Sequence, residues 1–92
     1  MVVWFDGVKY KVSDRKVTAS EVPNLVGSLV WVEHVAYCWK GLFDDDVYTI
    51  IESNDCNSRY RYTIKNRHGS KRGVEVEKML GTGVNLYYLE RV

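Results

Sequence analysis

The chain has 92 residues, of which 46% are hydrophobic and 27% charged, and its formal net charge is +1. This length makes one domain with a small core, and the composition is unlike that of disordered chains. The net charge excludes long-range attraction of the whole molecule to nucleic acid or to a membrane surface, so any charged site must come from local clustering.

The opening sequence VVWFDGVKYKV predicts a β-hairpin, because Asp-Gly between two runs rich in Val and aromatic residues favours a two-residue turn. We place its strands at 2–5 and 8–12. The resulting register puts five apolar residues on one buried face: Val3, Phe5, Val8, Tyr10 and Val12. Trp4 then lies on the outer face, opposite Lys9.

The remainder of the chain predicts further short strands. Pro23 limits residues 13–27 to a short helical turn. Strands are expected at 28–36, 47–53, 58–65 and 74–79, with a short final strand or 3₁₀ turn in NLYYLERV. YCWKGLFDDD at 37–46 is predicted to be a long loop and NDCN at 54–57 a tight turn. Five or six short antiparallel strands predict a mostly β fold, arranged as a small barrel or as two packed sheets.

The order of these elements resembles that of small SH3-like barrels over roughly residues 28–92, from the long loop through VYTIIESND and the basic strand to LYYLERV. The resemblance implies a single domain, 1–92, in which a hairpin at 1–12 precedes a barrel core. Residues 88–92 match the end of the segment that lines the peptide groove of SH3 domains, but its proline is missing. Paired tryptophans and a paired-tyrosine opening strand are also missing, so polyproline recognition is not implied.

Small SH3-like proteins of this style are also similar to proteins encoded by bacteriophages. That resemblance implies an inhibitor or modulator of a host macromolecular machine, working in the host cytoplasm. Its partner is then a larger, host-derived protein.

The strongest charge signal is SRYRYTIKNRHGSKRG at 58–73, which holds six Lys or Arg and no acidic residue. The preceding stretch, 41–57, holds five acidic and no basic residues. Period-two alternation in SRYRYTIK points Tyr60, Tyr62 and Ile64 inward, and the remaining side chains outward: Arg59, Arg61, Thr63 and Lys65.

We expect much of this positive charge to be neutralised by neighbouring strands. A hairpin centred near Gly69 pairs inward residues as Ile64–Val74 and Tyr62–Val76, and outward residues as Arg61–Glu77 and Thr63–Glu75. The NDCN turn places Glu52 opposite Arg59. The loop tip remains unpaired, so a nucleic-acid-binding module is an open alternative, with four candidate contacts: Arg61, Arg67, Lys71 and Arg72.

The preferred function is a binding module that docks on a larger protein, because Trp and Tyr dominate the energetic anchors of interfaces. The predicted 37–46 loop and exposed rings near it supply the candidate contacts: Tyr37, Trp39, Phe43, Asp44, Asp45, Asp46, Trp4 and Tyr48. Its acidic rim would favour a basic partner. A structural or oligomer-forming component is a third alternative, and the sequence leaves the oligomeric state open.

No catalytic or metal motif is complete. Cys38 and Cys56 lack a CxxC pairing, and with His34 and His68 they lack the short spacings of a zinc site. Asp44 to Asp46 are consecutive, unlike the spaced ligands of a calcium loop. No phosphate loop or nucleophile elbow occurs. We therefore expect no enzyme activity, no cofactor and no metal, and no membrane partner. The sequence favours a cytoplasmic location, because it has no leader-like N-terminus and its most apolar stretch, 28–39, is too short to span a bilayer.

Overall fold

The structure is a computed structural model that describes residues 1–35, 45–52, 61–69, 71–72 and 76–92. Its strands are β1 (Val2–Phe5), β2 (Val8–Lys16), β3 (Leu29–His34), β4 (Asp46–Glu52), β5 (Tyr62–Lys65), β6 (Lys71–Arg72) and β7 (Val84–Arg91). A 3₁₀ helix, Ala19–Leu25, joins β2 to β3, and one helical turn, α1 (Val76–Met79), precedes β7. The prediction of a mostly β fold is confirmed.

The strands form one antiparallel sheet in the order β1-β2-β7-β3-β4-β5-β6, curled into a half-barrel. The last strand lies inside this order, third from the β1 edge, where it pairs with β2 on one side and with β3 on the other. The sequence predicted only a short strand or a 3₁₀ turn for this segment, whereas β7 has eight residues. β7 thereby joins the N-terminal hairpin to the rest of the sheet.

The N-terminal hairpin has the predicted register, with Val3 opposite Tyr10, Trp4 opposite Lys9 and Phe5 opposite Val8. Asp6 and Gly7 both have positive φ, 51° and 76°, as a two-residue turn of type I′ requires. The predicted faces are confirmed too, since Val3 and Phe5 are half-buried while Trp4 is 59% exposed.

The main core lies on one face of the sheet, beneath α1 and the 3₁₀ helix. Its fully buried strand residues are Val30, Val32, Ile50, Ile64, Val84 and Leu86. Val22 of the 3₁₀ helix, Val76 and Met79 of α1, and the nearly buried Val17, Tyr48 and Tyr62 complete the cluster. Val47 is also fully buried, but it pairs with Trp31 on the opposite face and is not part of this cluster. The sheet therefore buries apolar side chains on both faces.

The strand predicted at 74–79 is wrong, because residues 76–79 form α1. Val76 and Met79 are spaced i, i+3, so one helical turn points both side chains into the core, and both are fully buried. The two predicted cross-strand pairs Arg61–Glu77 and Tyr62–Val76 therefore do not exist, because Val76 and Glu77 are not in a strand.

The predicted registers of the basic strand are also wrong. Ile64 pairs with Arg72 rather than Val74, and Glu52 pairs with Tyr62 rather than Arg59. Asn66 shapes the turn between β5 and β6: its side-chain oxygen accepts the His68 amide at 2.9 Å, and its carbonyl accepts the Gly69 amide at 3.1 Å. The hairpin is therefore centred on His68, one residue before the predicted position.

The inward orientation of Tyr62 and Ile64 is confirmed, since Tyr62 is 8% exposed and Ile64 fully buried. Thr63 was expected to face solvent, but it is also only 8% exposed. It pairs with Ile51 on the face that carries Val47, so burial on both faces of the sheet explains the difference. Tyr60 lies outside the described residues.

Glu21 ties the 3₁₀ helix to β7. Its carboxylate accepts hydrogen bonds from the Tyr88 hydroxyl, from the Thr18 amide at 3.0 Å and from the Thr18 hydroxyl at 2.8 Å. Arg15 donates a fourth at 2.7 Å. These donors, above all Tyr88, lower the pKa of Glu21 from 4.5 to about 2. The same hydrogen bond raises the pKa of Tyr88.

This depressed pKa predicts an acid-dependent contribution to stability. A carboxyl whose pKa is lower in the folded state stabilises fully above its unfolded pKa, and the contribution disappears as pH falls from 4.5 to about 2. Glu21→Gln should therefore lower the free energy of unfolding at pH 7. Urea titrations at pH 7, 4 and 2.5 measure the free energy of unfolding of both proteins. The difference between wild type and variant should become smaller as pH falls. A gap that is independent of pH would contradict this role for the Glu21 charge.

Candidate interaction surface

The predicted loop site lies only partly within the described residues. Tyr37, Trp39, Phe43 and Asp44 fall outside them, so their role stays a prediction. Tyr48 was expected to be an exposed ring, and this is wrong: it is 5% exposed and belongs to the main core. Its position opposite Val30 on the core face of β4 explains the burial.

Asp45 makes local contacts with the end of β3. Its carboxylate accepts the His34 amide at 2.9 Å and lies 3.4 Å from the His34 Nδ1 atom. The Asp45 side chain is still 51% exposed, so it remains accessible to a partner.

Asp46 forms a bidentate ion pair with Arg67. The Nε and Nη2 atoms of Arg67 donate to the two carboxylate oxygens at 2.7 and 2.5 Å. Partial burial opposes ionisation of Asp46, but the hydrogen bonds from Arg67 and from the Val47 amide outweigh it, and its pKa is lowered. Asp46 is therefore a structural residue, and one member of the predicted acidic rim is already neutralised.

Arg67 also reaches the opposite end of the sheet. Its Nη2 atom donates to the Trp4 carbonyl oxygen at 3.2 Å, and its guanidinium lies 5.8 Å from the centre of the Phe5 ring. In the sheet order, β1 and β5 are separated by four strands, so this contact exists only because the sheet curls. One arginine thus links the β5–β6 turn, β4 and the edge strand β1.

These contacts weaken the nucleic-acid alternative. Arg67 is held by Asp46, and Tyr62 is buried and unavailable for base stacking. Arg61 is exposed, with its guanidinium 5.8 Å from the Tyr62 ring. Lys71 and Arg72 form β6, opposite Lys65 and Ile64. Of the four proposed phosphate contacts, at least one is committed to an internal ion pair.

An open cleft of about 510 Å³ lies between the β1–β2 turn and the β5–β6 turn. Phe5 and Lys65 line it, together with Asp6 and with Arg67, whose charge Asp46 already balances. Lys65 and Asp6 carry opposite charges, so the Lys, Arg and Asp side chains of the cleft give no excess positive charge, and the cleft lacks the electrostatics of a strong phosphate site.

The clearest exposed site is on the outer face of the hairpin. The register places six exposed residues side by side on β1, β2 and the end of the chain, and we name them the Trp4 surface: Val2, Trp4, Lys9, Lys11, Glu90 and Val92. The Val92 amide donates to the Lys9 carbonyl at 3.2 Å, which sets Val92 beside Lys9. Three of the six are apolar and exposed by 49% (Val2), 59% (Trp4) and 69% (Val92).

The Trp4 surface has apolar side chains on β1 and at Val92, with two lysines of β2 between them. Lys9 lies directly opposite Trp4, and Lys11 lies opposite Val2 and next to Glu90. The sequence predicted that Trp4 would be outside. The positions of Val92 and Glu90 on the same face, beyond Lys9 and Lys11, were not predicted, because they depend on β7 pairing with β2.

The described ranges contain no group of three His, Cys, Asp or Glu side chains placed to hold a metal ion. Nor does any helix within them have the length and apolar character needed to cross a membrane. No protein-family model, curated protein or solved structure matches this chain.

Proposed function

We propose that this protein is a non-enzymatic binding module that docks on a larger protein through the Trp4 surface. The observation that carries the proposal is the 59% exposure of Trp4 on a strand whose position is set by hairpin pairing. A large aromatic ring in water is costly, and Trp is the residue most enriched among interface hot spots. A ring fixed on a paired strand also loses little freedom when it binds.

The charged residues of the Trp4 surface indicate the chemistry of the partner. Lys9 and Lys11 contribute two positive charges beside Trp4, and Glu90 contributes one negative charge. A complementary partner presents an apolar pocket flanked by carboxylates. This differs from the basic partner that the 37–46 loop predicted, and that loop remains a second proposed contact region. The partner class implied by the resemblance to phage proteins is a host macromolecular machine, whose inhibition or redirection is the proposed consequence of docking.

The proposal predicts that Trp4→Ala weakens partner binding by at least about tenfold, because truncating a central hot-spot residue removes most of its buried contact. Wild type, Trp4→Ala and the matched control Val26→Ala are immobilised and exposed to nuclease-treated lysate of a candidate host. Val26 is also exposed, at 41%, and follows the 3₁₀ helix, outside β1 and β2. The captured protein is then purified and titrated against all three.

The expected result is one protein that binds wild type and Val26→Ala equally and Trp4→Ala more weakly. Equal binding to all three variants would show that the site is elsewhere. If nuclease treatment removes all retained material, the partner is nucleic acid instead, and affinity should then fall steeply with salt.

A further inference from the structure

The backbone of the edge strand β1 has hydrogen-bonding groups on the side away from β2. The Val12 amide donates to the Met1 carbonyl at 2.9 Å, so residues 1 and 12 form a hydrogen-bonded pair. Such pairs alternate along an antiparallel ladder, which makes Val2–Lys11 and Trp4–Lys9 the non-bonded pairs. The amides and carbonyls of Val2 and Trp4 therefore point away from β2, toward the outer edge of the sheet.

The contact with Arg67 supports this orientation independently. A carbonyl that faced β2 could not accept a hydrogen bond from the β5–β6 turn, yet Trp4 accepts one from Arg67. Apart from this bond, no described residue pairs with the outer edge of β1. A carbonyl oxygen has two lone pairs, so Trp4 can accept a second hydrogen bond while Arg67 stays in place.

We infer that the outer edge of β1 pairs with β1 of a second copy of this chain, in antiparallel orientation about a twofold axis at Val3. This register sets Val2 opposite Trp4 of the second copy, and Trp4 opposite its Val2. Both residues have outward-facing backbone groups, so each pair exchanges two N–H···O hydrogen bonds. The side chains of each pair lie on the same face, where the exposed Val2 covers part of the exposed indole.

Self-complementarity is the reason for choosing a second copy over another strand. β1 reads VVWF and has no charged residue, so two copies meet without like-charge repulsion. The nearest cation, Arg67, is paired with Asp46, and the next two, Lys9 and Lys11, are on β2, one strand behind the edge. Across a paired edge the lysines of the two copies are separated by three strand spacings, about 14 Å, which exceeds the screening length at physiological salt. Natural edge strands avoid such pairing with charges or proline, and β1 has neither.

The test is the oligomeric state as a function of concentration. A four-residue strand gives a small interface, so association is expected only at about 0.1 to 1 mM protein. Sedimentation equilibrium should show a mass rising from one chain toward two over this range. In parallel, amide resonances of Val2 and Trp4 should shift with concentration, while those of Val26 and Val35 stay constant.

Two substitutions at one position isolate the backbone contribution. Val2→Pro removes the outward amide donor and leaves the β1–β2 hydrogen bonds intact, since the Val2 amide does not face β2. Val2→Ala keeps the donor and is the matched control for the lost side chain. Self-association should weaken at least tenfold in Val2→Pro relative to Val2→Ala, with unchanged circular dichroism.

A single-chain mass for wild type up to 1 mM would overturn the inference, as would equal self-association of Val2→Pro and Val2→Ala. A result that overturns self-pairing of β1 can be distinguished from one that overturns the proposed docking function. A monomer whose partner binding still depends on Trp4 overturns self-pairing alone. If Val2→Pro loses the partner although wild type is monomeric, β1 accepts a strand from that partner and not from a second copy.

Discussion

Met79→Ala is expected to lower the free energy of unfolding by about 2–5 kcal/mol, the usual range for truncating a buried methionine to alanine. Met79 is fully buried in the main core, on a helical turn that contacts both the 3₁₀ helix and β5. A domain of this size has a total stability on the order of 5–10 kcal/mol, so the variant should be partly unfolded well below the wild-type melting temperature. Urea denaturation followed by tryptophan fluorescence measures the difference.

Val35→Ala is the matched control for a lost apolar side chain. Val35 is 60% exposed, so its truncation should change the unfolding free energy by no more than about 0.5 kcal/mol. If Met79→Ala changes the free energy of unfolding as little as Val35→Ala does, then α1 does not pack on the core and the position of residues 76–79 is contradicted.

Arg67→Gln is expected to lower the free energy of unfolding by about 1–2 kcal/mol. Charge-assisted hydrogen bonds to a fully buried group would stabilise the fold by more than this. The Arg67 and Asp46 side chains are 36% and 28% exposed, so solvent screening reduces the effect. The substitution removes the bidentate pair and the hydrogen bond to the Trp4 carbonyl together. Arg91→Gln, at an exposed position of β7, controls for loss of a surface arginine.

A double-mutant cycle with Asp46→Asn separates the two contacts of Arg67. If the ion pair dominates, the double variant should be scarcely less stable than either single variant. The coupling should also shrink in acid, because the pKa of Asp46 is lowered in the folded state and the contribution is lost as the carboxyl is protonated. Additive effects at neutral pH would show that the two side chains do not stabilise the fold as a pair.

The elements predicted correctly are those that depend on neighbours in sequence. The Asp-Gly turn fixed the register of β1 and β2, since a two-residue loop leaves no freedom for the strands to slip. Alternation correctly placed Trp4 outside and Tyr62 and Ile64 inside.

The segment at 76–79 shows where local pattern was insufficient. The stretch VEVEK alternates with period two, which favours a strand, but Val76 and Met79 also fit the i, i+3 spacing of a helix. Four or five residues do not distinguish these periods. Packing decided between them, because a helical turn buries both side chains in the core beside the 3₁₀ helix.

Part of the candidate site was likewise predictable and part was not. Exposure of Trp4 followed from the hairpin alone, whereas the buried position of Tyr48 and the pairing of Asp46 with Arg67 did not. Asp46 and Arg67 are 21 residues apart, and Arg67 and Trp4 are 63 apart. No local sequence signal links residues at such separations. The Asp46–Arg67 contact depends on the register of β4 against β5, and the Arg67–Trp4 contact depends on how far the sheet curls.

By itself, then, the sequence determined a small, mostly β domain with an N-terminal hairpin, an outward tryptophan and an inward tyrosine on the basic strand. Only the tertiary structure decided that the last strand lies between β2 and β3, that residues 76–79 are helical, and that Arg67 joins β4 to the edge strand. The physical reason is that turn geometry and side-chain alternation act over a few residues. The order of strands, and the ion pairs that this order allows, depend on how the whole sheet buries its apolar side chains.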